Sequence, residues 1–154
     1  MNRQFCAFYL DGFLFGVEVA RVQEVVRNQP MTRVPLAPPL IGGLINLRGQ
    51  IVTAIELRVL LGMPARAASK EPMNVVLRAA DGAVSFLVDD IDDVIETDDA
   101  EFESAPETVT GRARELIAGV YKLQERLLLV LSTDVALETE RLQLTKKQET
   151  HTLN

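Results

Sequence analysis

Apolar side chains are grouped along this chain in short runs separated by turn-forming pairs, the pattern of a mainly β protein. Residues 5–10 (FCAFYL) and 13–17 (FLFGV) flank Asp11-Gly12, and Asp-Gly between two apolar runs is the strongest short-range hairpin signal. Gly16 inside the second run predicts a bulge or a bend. In residues 18–27 (EVARVQEVVR), Val19, Val22, Val25 and Val26 would share a helical face, but β-branched valines favour strand. The reading is therefore a turn over 19–22 and a strand from about 23 to 27. Asn28-Gln29-Pro30 breaks the run, and 31–34 reads as its continuation in a bent edge strand. Residues 35–43 (PLAPPLIGG), with three prolines and two glycines, predict an ordered loop with one helical turn at 39–41.

Residues 41–52 (IGGLINLRGQIV) are the most informative stretch. Leu44, Ile45 and Leu47 lead into a polar corner of Asn46, Arg48 and Gly49, and Ile51, Val52 and Ile55 lead out, which predicts a hairpin with a short loop. Arg48 is the odd member. A tight turn calls for glycine or asparagine, so an arginine there is either a solvated loop side chain or a set of planar donors held out to a partner.

One more turn of helix is predicted over 57–62, closed by Gly62 and Pro64, and 63–72 reads as a surface connection at the boundary between two halves. Residues 74–78, Asp81-Gly82 and 83–88 repeat the strand, Asp-Gly, strand order of the N-terminus. Residues 89–103 carry nine carboxylates around Ile91, Val94 and Ile95. They lack the glycine and spacing of a calcium loop and read as a strand with a solvated polar face. A polar loop follows over 104–114, then a last hairpin from runs 116–123 and 127–131. Ser132 or Thr133 would cap a helix starting at Asp134, with Val135, Leu137, Leu142 and Leu144 as its apolar face. Residues 145–154 read as a disordered polar tail.

Composition narrows the function. The 154 residues are 47% hydrophobic and 25% charged, enough for a packed interior, with a net charge of -6 that argues against general nucleic-acid binding. No apolar run reaches membrane-spanning length and the N-terminus lacks a signal-peptide core, so the expected location is cytoplasmic. Cys6 lies in an apolar run and reads as a small buried hydrophobe. With one cysteine and one histidine, a structural zinc site cannot be assembled, and His151 in the tail lacks the fixed geometry of a base. Nucleophile-elbow and phosphate-loop patterns are absent, so no catalytic residue, metal or cofactor is assigned. The residues fit a module that binds other proteins.

The pattern resembles the CheW family, the coupling adaptors of bacterial chemotaxis. The resemblance rests on Phe5-Cys6-Ala7-Phe8-Tyr9-Leu10, on Phe15-Gly16-Val17-Glu18-Val19 and on Arg21-Val22-Gln23-Glu24-Val25. Its signature is Arg33-Val34-Pro35 with the run from Pro39 through Asn46-Leu47-Arg48-Gly49, and Val88-Asp89-Asp90-Ile91-Asp92-Asp93-Val94 looks like the second-half element. The chain departs mildly in having Thr53 where the family often has proline and Glu56-Leu57 where it often has Asp-Leu.

The resemblance implies two small five-stranded SH3-like β-barrels sharing an apolar interior, with a groove between them and a C-terminal helix, over residues 4–137. It implies a non-enzymatic scaffold joining chemoreceptor signalling tips to the histidine kinase CheA and supporting control of its activity, peripheral to the membrane only through the receptors. By the same resemblance Val22, Arg48, Ile91 and Val94 are expected to bind receptor, and Glu24 and Gly43 to lie nearer the kinase face. For each aliphatic the competing reading is core packing. The alternative from another class is a small β-barrel enzyme or ligand carrier using the groove, which a perturbed carboxylate facing a deep pocket would support.

Overall fold

The computed structural model describes residues 2–27 and 29–138. β1 (Asn2–Leu10) and β2 (Phe13–Glu18) form the predicted hairpin, with Leu10 opposite Phe13. Asp11 and Gly12 both have positive φ (49° and 82°), the type I′ pattern whose twist matches the strands. Gly16 makes no bulge: it pairs with Ala7 in an unbroken register. It is needed for close approach, because a Cβ there would lie 3.1 Å from Leu128 Cδ1 and 3.2 Å from Phe5 Cβ.

A 3₁₀ turn (Val19–Arg21) leads into β3 (Val22–Val26), as expected. β4 (Met31–Thr32) does not continue β3; it pairs with β5 (Ile41–Leu47) at the opposite edge of the same sheet. The proline-rich loop between them holds two turns, closed by Ala37 N–H to the Val34 carbonyl (3.2 Å) and Ile41 N–H to the Pro38 carbonyl (2.9 Å), in place of the expected helical turn. β6 (Gln50–Glu56) completes the second hairpin and runs into α1 (Leu57–Leu60), which ends at Gly62 with φ 74°.

β7 (Met73–Ala79) and β8 (Gly82–Val88) pair around Ala80-Asp81, one residue earlier than the Asp81-Gly82 expected. β9 (Asp90–Asp98) follows, then a 3₁₀ turn (Asp99–Glu101) and β10 (Phe102–Glu103). The expected polar loop contains α2 (Gly111–Leu116), whose Leu116 is buried. β11 (Ile117–Lys122) and β12 (Leu127–Leu131) form the last hairpin. The C-terminal helix α3 occupies residues 133–138 and starts one residue before Asp134. Leu142, Leu144, the tail at 145–154 and His151 lie outside the described residues.

The strands make two six-stranded sheets, ordered β10-β11-β12-β2-β1-β9 and β3-β7-β8-β6-β5-β4. The first is built from both ends of the chain and the second from its middle. Residues 63–72 connect α1 to β7 between strands of the same second sheet and are not a boundary between halves; the chain changes sheet at the 3₁₀ turn 19–21 and at Asp89. Neither ladder closes into the five-stranded barrel expected, since the orders end on separate edges and the outer strands β4 and β10 are only two residues long. Both sheets nevertheless curl. Val26 on edge strand β3 packs on Ile45, Leu47, Val52 and Val76, and Ile95 on edge strand β9 packs on the group containing Phe5, Tyr121 and Leu128. Between the sheets lies the shared apolar interior, where Phe8, Phe15 and Leu131 of one meet Leu77 and Phe86 of the other, with Leu57 of α1.

Candidate functional site

The signature hairpin ends in a two-residue turn, with Leu47 opposite Gln50 and Arg48-Gly49 between them. Both turn residues are left-handed (φ 53° and 86°), and Asn46 Oδ1 accepts from the Gly49 N–H at 2.9 Å. Arg48 thus occupies a position that asparagine, aspartate or glycine would fill at less steric cost. Its side chain is 79% exposed, yet it is not free, because Nη2 lies 2.7 Å from Glu24 Oε2. Glu24 is 17% exposed, and its Oε1 is buried without a hydrogen-bond partner among the described residues. The residue expected on the receptor side and one expected nearer the kinase side are therefore partners in one ion pair.

Two bulges decide which side chains share a face. In β3, Val22 pairs with Leu77 but Glu24 with Val76, so one extra residue separates them. In a regular strand positions two apart face the same way; here Val22 follows Leu77 towards the inter-sheet core, while Glu24 follows Val76 to the other side. In β9 the effect is the reverse. Val94 pairs with Cys6 and Ile91 with Phe8, so residues three apart, which would normally alternate, both lie opposite core-facing residues of β1. Ile91 and Val22 are half-buried against the same inter-sheet core, and Val94 stands 57% exposed. β3 and β9 are each one edge of a sheet, so these three aliphatics line two edges flanking that core, while the ion pair ties Arg48 to the other face of β3, where Glu24 lies.

Gly43 is buried where β5 passes β4. A Cβ there would come to 2.6 Å from the Thr32 carbonyl oxygen and 2.5 Å from Met31 Cγ. Its local role is to let β4 pack against the hairpin.

A polar site missing from the sequence reading joins the two sheets. Asp89, between β8 and β9, accepts from Arg58 Nε (2.9 Å) and Nη2 (2.5 Å), from Arg66 Nε (2.8 Å) and from the Asp11 N–H in the first hairpin turn (2.7 Å). Arg66 also donates Nη1 to Glu56 Oε2 at 3.0 Å. Burial pushes the Asp89 carboxyl up, but the hydrogen bonds from Arg58, the Asp11 backbone and Arg66 outweigh it and hold the group below the usual carboxylate range. The Asp89 hydrogen bond pushes Arg58 up against the opposing effect of its burial. Nothing in the local sequence singles out Asp89 from eight neighbouring acids; only the fold brings two arginines to it. The acidic stretch as a whole is less solvated than expected, since Asp92 pairs with Arg126 (3.0 Å) and Asp99 with Arg3 (3.3 Å).

These features do not build a reaction centre. Among the described residues, no group of three His, Cys, Asp or Glu side chains could hold a metal. The carboxyl with a displaced pKa, Asp89, is occupied by two arginines. Cys6 is half-buried and its thiol is pushed up by burial, which makes it a poor nucleophile.

Comparison with known proteins decides the family. The family model of the CheW-like domain matches residues 4–141. The chain belongs to the CheW family. It is 33% identical over 133 residues to the chemotaxis protein CheW of Bacillus subtilis, covering 86% of this chain and 85% of that protein. It is 29% identical over 144 residues to the CheW of Klebsiella aerogenes, covering 94% and 87%. The crystal structure of the scaffolding protein TtCheW from Thermoanaerobacter tengcongensis is similar, with a TM-score of 0.75 at 28% identity, covering 86% of this chain and 90% of that one. The chain is accordingly a chemotaxis protein of the adaptor scaffold kind and not an enzyme. No helix among the described residues is long and apolar enough to cross a membrane.

Proposed function

We propose that this chain is a cytoplasmic adaptor that couples chemoreceptor signalling tips to the histidine kinase CheA. The observation that carries the proposal is the arrangement of β3, β9 and the Arg48 turn: Val22, Ile91 and Val94 lie on two sheet edges against the inter-sheet core, and the exposed Arg48 is anchored by Glu24 on the other face of β3. Exposed edge aliphatics suit the apolar face of a helical hairpin, and the Arg48 guanidinium keeps donors for a carboxylate or carbonyl. Arg48 fills a left-handed turn position at a steric cost that glycine or asparagine would avoid and is widely exposed, which fits a residue kept for contact. Glu24 holds it in place. The kinase contact lies nearer Gly43, on the β4 side of the hairpin. The two faces act at once, and modest contacts gain strength from repetition in an array.

The test is co-sedimentation and titration with a receptor cytoplasmic fragment and with CheA. Arg48→Ala is expected to weaken receptor binding at least tenfold while the melting temperature falls by no more than about 4 °C, the cost of leaving Glu24 without its ion-pair partner. A folded wild-type protein that binds neither partner refutes the proposal. An Arg48→Ala protein that binds receptor normally removes Arg48 from the site.

A further inference from the structure

Leu36 combines two unfavourable features. It sits at the third position of the turn closed by Val34 and Ala37, after Pro35, with φ 62°. A positive φ there is the type II pattern, which ordinarily takes glycine or asparagine, and a bulky residue in it is an outlier. Its side chain is also 95% exposed, the most exposed of the large apolar residues described. A single exposed leucine is ordinary. An exposed leucine in a conformation that penalises every side chain is not, since glycine would remove both costs. The strain is not relieved by internal packing, because the side chain touches so little of its own protein.

The placement of the loop indicates what Leu36 is for. β4 enters it at Thr32, level with Leu44, and the chain rejoins the sheet at Ile41, level with Ile55. The loop therefore lies at the end of the hairpin opposite the Arg48 turn, a strand length of about 20 Å away. One partner can hold the Arg48 end while another holds this one. The loop is stiff: Pro35, Pro38 and Pro39 restrict it, two backbone hydrogen bonds close it, and Gly43 seats the β4 strand that leads into it. A rigid apolar knob loses little entropy on insertion. Arg33 beside it is exposed and makes no ion pair among the described residues, in a chain of net charge -6.

We infer that Leu36 is a docking knob for the kinase, inserting into a leucine-sized apolar pocket rimmed by carboxylates that face Arg33. This rests on the adaptor reading above and adds the contact residue and the chemistry of the surface it meets.

The test uses the full chain and four measurements: affinity for CheA, affinity for a receptor fragment, melting temperature and self-association by sedimentation. Leu36→Gly is expected to melt no lower than wild type, to lose at least tenfold in kinase affinity and to keep its receptor affinity within twofold. Leu36→Met, which retains an apolar knob, is expected to bind kinase within threefold of wild type. Unchanged kinase affinity in Leu36→Gly overturns the inference, and so does an equal loss towards both partners. If instead Leu36→Gly abolishes only self-association, the knob meets a second copy and the inference is likewise wrong. A wild-type protein that binds neither partner fails the adaptor reading itself, and the inference with it; wild-type binding with an indifferent Leu36→Gly fails the inference alone.

Discussion

Asp89→Asn is the sharpest test of how the two sheets are held together. The carboxylate is 17% exposed and accepts four hydrogen bonds, three from guanidinium groups that are themselves 11% and 6% exposed and one from the first hairpin turn. Asparagine keeps one acceptor, loses the charge and turns an amide N–H₂ towards an arginine. Removing one partner of a buried charge pair costs about 3–5 kcal/mol, chiefly because the remaining charge is left uncompensated. The residual exposure of Asp89 and the Glu56 contact to Arg66 place the expected loss at the low end, about 3 kcal/mol. For a chain of this size that lowers the melting temperature by about 6–12 °C.

The pH dependence gives a second readout. The folded carboxyl lies below the unfolded value of about 3.9, so its contribution is complete above about pH 5 and is lost as pH falls through the folded value. Urea denaturation of both proteins at neutral pH and at about pH 3 is the assay. The wild type should lose more stability than Asp89→Asn over that interval, so the two should converge in acid. A neutral-pH loss under about 1 kcal/mol, or parallel pH profiles, would show that the network does not hold the sheets together.

Two further substitutions separate backbone packing from surface charge. Gly43→Ala should cost about 1–3 kcal/mol, because its Cβ meets the Thr32 backbone and that atom can move only with β4; faster hydrogen exchange confined to the β4–β5 pairing would confirm the route. Asp134→Ala removes the 2.6 Å pair with Arg21, but Asp134 is 81% exposed, so the melting temperature should fall by no more than about 3 °C and the effect should fade in high salt.

Local patterning determined most of the strands. Asp11-Gly12 between two apolar runs fixed the first hairpin, the Arg48-Gly49 corner the second, and the runs around 124–126 the last, because turn chemistry and period-two alternation act over a few residues. α2 was missed because its sequence GRAREL, with one buried leucine, carries too short an apolar pattern to stand out from a loop. The resemblance carried by Asn46-Leu47-Arg48-Gly49 was enough to expect the family. Which residues share a face was not legible. A bulge in β3 sends Val22 and Glu24 to opposite sides, and one in β9 brings Ile91 and Val94 to the same side; a bulge changes the alternation without leaving a residue type that announces it. Nor could the sequence say that the first sheet is made from the two ends of the chain, that Glu24 reaches Arg48, or that Asp89 alone among its acidic neighbours is held by Arg58 and Arg66. Those pairings join residues far apart along the chain, and their partners are set by where the curled sheets bring the backbone, which no local pattern encodes.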